Sequence, residues 1–242
     1  MKKKYIFWDF NGTILDDRDL CFNILNEMLE EFNRDKVTLK DYLMIFDFPV
    51  KNYYAKVYDL EETPFHVLSH RFMELYQPRS MHEQLHQGVI DSLFYFQSMG
   101  VKNILLSASE KTNLDEQIAH FGISHYFDDI LGTHNAHGES KLEVAKQYVK
   151  TNHIKGSDAV IIGDTLHDAE VGEALGFDII LYAKGHQHKS RLKKYKTIDN
   201  FYELSDIINK KIKWQSTGIA IFFIICNTSS MKEMRYRKWI NN

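Results

Sequence analysis

The segment YIFWDFNGT, residues 5–13, decides the fold of this chain. Its first four residues are apolar without interruption, and they lie between a basic N-terminus and the turn-forming pair Asn11-Gly12. This pattern is typical of a strand that is buried on both faces, as the strands of parallel sheets are. Asp9 is therefore predicted at the carboxyl end of a buried strand, which is the side where open α/β sheets bind their ligands.

Three further apolar runs, residues 103–106, 159–162 and 178–182, have the same character. Helical patterns separate them, and three of these patterns end at a glycine that suits the left-handed residue after a helix: Gly100, Gly122 and Gly176. Strands that alternate with short helices predict βαβ units. We therefore expect an α/β fold with a Rossmann-like parallel sheet.

Residues 17–85 interrupt this alternation with helical signals alone. Leu20, Ile24 and Met28 recur at a four-residue step, Thr38 is a candidate N-cap, and a further apolar helical pattern follows Pro64. The predicted organisation is an α/β core formed by residues 1–16 and 86–208. Residues 17–85 are inserted into it as a helical cap over the end of the first strand.

Residues 209–242 form a C-terminal tail of unknown role. Its segment 218–226 is strongly apolar, but it is far shorter than the roughly 20 residues that a bilayer crossing needs. A basic stretch follows it. We expect an added strand or helix that packs on the body of the protein, with a membrane-surface or oligomer contact as the alternative.

Composition excludes several classes of function. The 242 residues include 44% hydrophobic residues and carry a net charge of -3, so the chain can bury a full core but lacks the basic field that nucleic acids require. Cys21 and Cys226 are the two cysteines, with no metal-ligand spacing, which favours a reducing compartment. The apolar run after the basic start is too short for an export signal, so we expect a cytoplasmic protein.

Polar side chains with catalytic chemistry follow the predicted strands. Asp9 follows the first strand, Ser107 closes the second, and the pair Asp164 and Asp168 follows the run 159–162. Lys141 lies at the start of a helix predicted to begin near Ser140. A parallel sheet would bring these groups together, and Asp9 and Asp164 at neighbouring strand ends would repel each other unless a cation lay between them.

The order and types of these residues resemble the haloacid dehalogenase-like (HAD) superfamily. Within it, the chain is similar to the phosphoglycolate phosphatase and β-phosphoglucomutase branch, which carries a helical C1-type cap after the first motif. The resemblance covers roughly residues 4–208. It implies a magnesium-dependent hydrolase of phosphate bonds, and a small phosphorylated metabolite as the substrate of a monomer or homodimer.

The resemblance also assigns roles to residues. Asp9 would be the nucleophile that forms an aspartyl-phosphate, and Mg²⁺ would be held by Asp9, the main-chain carbonyl of Asn11 and Asp164. Asp168 would orient the water molecules of the metal. The substrate phosphate would be contacted by Lys141, which also keeps Asp9 ionised, and by a set of groups on two loops: Asn11, Gly12, Ser107 and Ala108.

Asn11 departs from the family pattern. Phosphatases of the superfamily normally have a second Asp at this place, which protonates the leaving oxygen, and an amide cannot exchange a proton. General acid–base help is typically worth about 10² to 10⁴ in rate. The sequence therefore predicts that Asn11→Asp raises the hydrolysis of simple monoesters, and that Asp9→Asn abolishes it.

Three hypotheses follow from this departure. The first is a phosphatase whose leaving group needs little protonation, such as an acyl phosphate or anhydride, or one that borrows a proton from His134, His137 or a histidine of the cap. The second is a phosphonate or other non-ester hydrolase of the superfamily. A phosphonate hydrolase would need a cap lysine, Lys51 or Lys56, to form a Schiff base. The third is a phosphate-binding module with little turnover.

Overall fold

A computed structural model describes residues 3–133 and 140–209 of the chain. The strands are β1 (Tyr5–Trp8), β2 (Lys102–Glu110), β3 (Asp129–Thr133), β4 (Ala159–Gly163), β5 (Asp178–Tyr182) and β6 (Lys196–Ile198). The helices are α1 (Arg18–Glu31), α2 (Leu39–Ile45), α3 (Val50–Tyr54), α4 (Phe65–Ser80), α5 (Val89–Ser98), α6 (Lys111–His120), α7 (Lys141–Thr151), α8 (Leu166–Leu175) and α9 (Glu203–Asn209). The predicted tail lies outside these residues, apart from Asn209 at the end of α9.

The six strands form one parallel sheet in the order β3-β2-β1-β4-β5-β6. This confirms the α/β fold with a Rossmann-like parallel sheet. The strand β1 lies in the middle, where Trp8 pairs with Leu105 of β2 and with Ile162 of β4. Asp9 therefore leaves the sheet between the carboxyl ends of two neighbouring strands.

The apolar run of β1 is buried on both faces of the sheet, as its lack of alternation predicts. Ile6 and Trp8 pack into the hydrophobic cluster on one face, and Phe7 packs into the cluster on the other. All three side chains are fully buried. Because successive side chains of a strand point to opposite faces, a central strand of this kind requires apolar residues at every position.

Four helices, α1 to α4, occupy the chain between β1 and β2 before α5, and they have a hydrophobic core of their own. Ile24 and Met28 are fully buried in it together with Tyr42 and Leu68. Thr38 is the N-cap of α2, as predicted, since its hydroxyl accepts a hydrogen bond from the main-chain N–H of Asp41 at 3.1 Å. Cys21 packs in the same core, while Cys226 lies outside the described residues.

Two strands were not predicted, and one is longer than predicted. The strands β3 and β6 form the two edges of the sheet, and β2 continues to Glu110 with an irregular register to β3 after Leu106. Ser107 therefore lies within β2, not at its end. In the residues that the structure describes, no helix combines the length and the apolar composition that a membrane span requires.

Candidate active site

Asp9 lies at the carboxyl edge of the sheet with its side chain turned into a buried polar centre. Its main-chain N–H donates to the carbonyl oxygen of Ile162 at 2.8 Å, which continues the β1–β4 ladder by one residue. Only 8% of the residue is exposed. The carboxylate oxygen Oδ1 accepts a hydrogen bond from Nζ of Lys141.

Lys141 is the first residue of α7, and it is buried in spite of its charge. The helix begins there because the side chain of Ser140 accepts a hydrogen bond from the N–H of Glu143. Nζ of Lys141 also donates to Oδ1 of Asp168 at 2.5 Å. The lysine thus connects the carboxylates that follow β1 and β4.

Asp164 and Asp168 complete the centre, and they are held in different ways. Oδ2 of Asp164 accepts from the main-chain N–H of His186 at 2.6 Å, and Oδ1 accepts from the hydroxyl of Thr13 at 3.1 Å. Asp168 has both oxygens engaged: Oδ1 by Lys141, and Oδ2 by the N–H and the hydroxyl of Thr165.

The residues of this centre fit a divalent cation. Ligand oxygens of Asp9, Asp164 and Asp168 all lie within 4.8 Å of one another and are buried. Three carboxylates face a single ammonium group, that of Lys141. When all four groups are ionised, their net charge is therefore negative unless a cation is bound. Carboxylate oxygens are the donors that Mg²⁺ prefers. Asp168 is the most heavily engaged of the three carboxylates, because Oδ1 accepts from Lys141 and Oδ2 accepts from the N–H of Asp164 and from the N–H and the hydroxyl of Thr165.

The electrostatics of the centre follow from burial and crowding. Burial raises the pKa of Asp9 well above its usual value; Asp168 and Asp164 add to this, and Lys141 opposes it. Burial likewise raises the pKa of Asp164 to about 6. Burial also disfavours the charged form of Lys141, but Asp168 and Asp9 outweigh it, so the pKa of the lysine is raised and its charged form is favoured.

Gly12 allows the loop after β1 to pass close to this centre. Its φ of +71° lies in the left-handed region, and a Cβ atom at this position would stand 2.4 Å from Oδ2 of Asp164. The same atom would lie equally close to the ring of His186. Only glycine fits, because any side chain would collide with the residues that shape the centre.

Asn11 lies beside this centre and does not point freely into it. Its Nδ2 donates to Oδ2 of Asp17 at 3.0 Å and to the hydroxyl of Tyr76 at 2.5 Å. Its Oδ1 accepts from the hydroxyl of Ser109 at 3.0 Å. The hydroxyl of Ser107 is buried and accepts from the N–H of Ser109, so Ser107 reaches Asn11 only through that residue.

The structure thus brings Asp9, Lys141, Asp164 and Asp168 into direct contact or within a few ångströms of each other. Ala108 follows Ser107 in β2, and it is exposed. The histidines His134 and His137, predicted as possible proton donors, lie outside the described residues. Lys51 and Lys56 are exposed, which does not favour either as a buried Schiff-base lysine.

Four residues of the site were missed from the sequence: Thr13, Asp17, Tyr76 and His186. His186 follows β5, so the strand-end rule that selected Asp9 and Asp164 applies to it as well. Asp17 stands in an acidic pair with Asp16, and nothing in the sequence separates the two. Tyr76 has no signal at all, because its position depends on how α4 packs against the core.

Asp17 and His186 form a buried ion pair at 3.1 Å. Burial lowers the pKa of His186, but the Asp17 carboxylate outweighs it and raises that pKa to about 9. Burial raises the pKa of Asp17, whereas His186, Tyr76 and Asn11 outweigh it and hold the pKa below its usual value. The hydroxyl of Tyr42 lies 2.8 Å from Nδ1 of His186, so the pair contacts the helical segment.

The chain is thus an α/β protein with a buried polar centre at the carboxyl edge of its parallel sheet. Residues 6–182 match the family model described as haloacid dehalogenase-like hydrolase. The chain therefore belongs to the haloacid dehalogenase-like hydrolases. None of the curated proteins matches the chain in sequence.

Solved structures share the fold at low sequence identity. A predicted phosphatase from Clostridium acetobutylicum has a TM-score of 0.72 and 18% identity, over 88% of this chain and 100% of its own. A haloacid dehalogenase-like family hydrolase from Streptococcus pneumoniae has a TM-score of 0.73 and 18% identity, over 85% and 98%. A predicted phosphoglycolate phosphatase from Haemophilus somnus has a TM-score of 0.68 and 14% identity, over 86% and 98%.

Proposed function

We propose that this hydrolase is a Mg²⁺-dependent phosphatase that acts on a small phosphorylated metabolite, with Asp9 as its nucleophile. The observation that carries the proposal is the buried contact of Lys141 with both Asp9 and Asp168, beside Asp164. A carboxylate nucleophile needs cationic partners that hold it ionised and that meet the negative charge of a phosphoryl group. The centre offers one such cation and the oxygen ligands for another.

In this proposal, one carboxylate oxygen of Asp9 forms a bond to phosphorus while the bond from phosphorus to the leaving oxygen breaks. Water then forms a bond to phosphorus of the aspartyl-phosphate while the bond from phosphorus to the Asp9 oxygen breaks, which releases inorganic phosphate and restores the carboxylate. Lys141 and the cation would favour the ionised form of Asp9. Lys141 stabilises charge on the transferred group, with help from Gly12 in the loop after β1 and from Ser107 and Ala108 in β2.

A Mg²⁺ ion held by Asp9, the main-chain carbonyl of Asn11 and Asp164 would supply further positive charge at the phosphoryl oxygens. Asp168 would act through its hydrogen bonds to Lys141 and Thr165, since both of its oxygens are engaged there. We further propose that residues 17–85 form a cap over the core of residues 1–16 and 86–208. The contacts of Tyr76 and Tyr42 near the site support this role.

Asn11 favours substrates with a good leaving group. Its amide cannot supply a proton, and its NH₂ group donates to Asp17 and Tyr76. We therefore expect kcat/KM for acyl or aryl phosphates to exceed that for alkyl monoesters by about 10²-fold or more, the usual size of general acid help.

A panel of acyl phosphates, aryl phosphates and alkyl phosphate esters, assayed with Mg²⁺ and with a chelator, tests the proposal. Asp9→Asn should lower kcat by more than about 10³-fold, as the loss of a covalent nucleophile does. Asp19→Asn, the same change at an exposed position, should leave kcat unchanged. Turnover that persists in the chelator would refute the metal assignment, and turnover by Asp9→Asn would refute the nucleophile.

A further inference from the structure

The side chain of Asn11 is held on three sides by the protein. The amide group donates to Asp17 and to the hydroxyl of Tyr76, and its oxygen accepts from the hydroxyl of Ser109. Both acceptors lie on the same side of the NH₂ group, because the hydroxyl of Tyr76 and Oδ2 of Asp17 are themselves only 2.6 Å apart. The side chain is therefore fixed in one orientation, with its donors turned toward Asp17 and not toward a substrate.

Asp17 is the acceptor that sets this orientation. The residue is fully buried, and four nitrogen or oxygen donors surround its carboxylate: the main-chain N–H of Gly12 at 2.7 Å, Nδ2 of Asn11, the hydroxyl of Tyr76 at 2.6 Å and Nε2 of His186. We call these five residues the Asp17 network. These donors favour the ionised form of the buried carboxylate and fix its position. The carboxylate in turn fixes the position of each donor.

A second carboxylate at residue 11 would conflict with this network. The oxygen Oδ2 of Asp17 lies 3.0 Å from Nδ2 of Asn11, so Asn11→Asp would place two like charges at hydrogen-bond distance in a buried site. Their repulsion is strong where water is excluded. Exchanging the two residue types removes the conflict, because an amide at residue 17 donates to a carboxylate at residue 11 and the total charge stays the same.

We propose that Asp17 is a positioning residue of the candidate active site, which fixes the Asn11 amide and admits an acid–base carboxylate at residue 11 only when its own carboxylate is removed. This inference rests on the function proposed above. It changes the expectation from sequence that Asn11→Asp alone raises monoester hydrolysis, because the gain now requires a second change at Asp17.

A double-mutant cycle on the full chain with Mg²⁺ tests the proposal. It compares the wild type with Asn11→Asp, Asp17→Asn and the double variant, using β-glycerophosphate and p-nitrophenyl phosphate as substrates. For β-glycerophosphate, the double variant should raise kcat about 10²-fold, the usual size of general acid help, whereas Asn11→Asp alone should raise it less than about 3-fold. KM should change by less than about 3-fold, since the effect concerns proton supply and not phosphate binding.

The second substrate and two control variants separate positioning from general disturbance. With p-nitrophenyl phosphate, whose leaving group needs little protonation, the double variant should gain less than about 10-fold. Asn52→Asp and Asp19→Asn repeat the same two changes at exposed positions and should behave as the wild type. If Asn11→Asp alone gives the full gain, or the two changes combine additively, the proposal is wrong.

A readout without catalysis keeps the inference testable if no substrate is turned over. In urea unfolding, Asn11→Asp should lower the midpoint of the wild type strongly but should lower the midpoint of Asp17→Asn little or not at all. Equal losses in the two backgrounds would refute the pairing of the two residues. The stability measurements can therefore support the pairing of Asn11 with Asp17 even if the protein shows no phosphatase activity. Failure of this inference is thus distinguishable from failure of the proposed function.

Tyr76→Phe provides a milder variant for the case in which a buried charge change prevents folding. It removes one partner of the Asn11 amide and keeps the ring, which stacks on Phe72 at 5.3 Å. In the NMR spectrum, the two side-chain amide protons of Asn11 should exchange slowly with solvent in the wild type. In Tyr76→Phe their exchange rate should rise at least tenfold. Unchanged protection would contradict the fixed orientation.

Discussion

Lys141 is costly to place where it lies. An ammonium group in the first turn of a helix opposes the helix dipole, and its burial removes its hydration. The structure explains the placement by two carboxylates, those of Asp9 and Asp168, which surround Nζ on a side chain that is 2% exposed. The lysine in turn neutralises part of the charge of these two carboxylates. Its removal would leave two anions close together in a site that excludes water.

We predict that Lys141→Met destabilises the protein by about 3 to 5 kcal/mol in the absence of divalent cations, the usual result of removing one partner of a buried ion pair. Mg²⁺ should return part of this loss, because the cation replaces the missing positive charge. Urea unfolding with and without Mg²⁺ measures both effects. Lys146→Met, on the same helix with a half-exposed ion pair to Glu143, should cost less than about 1 kcal/mol and should show no such recovery.

The groups of the centre differ in how far the sequence predicts them. The sequence predicts Asp9 and Asp164 because each lies at the end of an apolar run. The run predicts a strand, and the carboxylate after it is therefore expected at the carboxyl edge of the sheet. Asp17 and Tyr76 could not be found in this way. Asp17 follows a loop, and Tyr76 comes from a helix that reaches the site only after the helical segment has packed on the core.

At the scale of elements, prediction succeeded where burial is complete and failed at the edges of the sheet. The central strand β1 and its neighbours are continuous apolar runs because both of their faces are covered. The edge strands β3 and β6 read DILGT and KTI, and most of their residues are partly or fully exposed. A strand that is covered less can carry polar residues and glycine, so the apolar signal disappears while the main-chain pairing remains.

Helix α8 carries Asp168 at its N-terminal end and packs unusually close to the sheet. A Cβ atom at Gly172 would stand 2.5 Å from Cγ1 of Ile179 and 2.8 Å from Cγ2 of Ile161. We predict that Gly172→Ala destabilises the protein by about 1 to 3 kcal/mol, because the methyl group overpacks this contact and shifts the helix. Urea unfolding measures the loss.

Removal of the opposing side chain should relieve the effect. In the background of Ile179→Ala, Gly172→Ala should cost at least about 1 kcal/mol less than in the wild type. Glu170→Ala, at an exposed position of the same helix, should change stability by less than about 0.5 kcal/mol. Equal costs of Gly172→Ala in the two backgrounds would show that the contact with Ile179 does not limit the position of α8.

At the largest scale, residues 3–133 and 140–209 combine separate hydrophobic cores with a polar layer between them. Two hydrophobic clusters lie on the two faces of the sheet, and a further cluster lies among α1 to α4. Residues of the helical segment meet the core through buried polar contacts, such as that of Tyr42 with His186. Hydrophobic patterns predict the cores, but the polar layer depends on side chains that are far apart in sequence, and no local pattern describes it.

The buried side chain of His86 should make the stability of the protein depend on pH. His86 is 8% exposed and lies against the rings of Tyr182 and Phe201. Burial lowers its pKa below the usual value, because the charged form loses its hydration. The unfolded chain then binds more protons than the folded chain as the pH falls below about 6.5, so the contribution of this residue to stability is complete above that pH and is lost below it.

We predict that His86→Phe reduces the loss of stability between pH 8 and pH 5, since a phenyl ring occupies the same aromatic surroundings and binds no proton. Urea unfolding of both proteins at pH 8, 6.5 and 5 measures this difference. His70→Phe is the matched control, because the side chain of His70 is 80% exposed on α4, and it should leave the pH dependence as in the wild type. If His86→Phe and the wild type lose the same stability on acidification, protonation of His86 does not contribute to acid unfolding, and other buried groups must account for it.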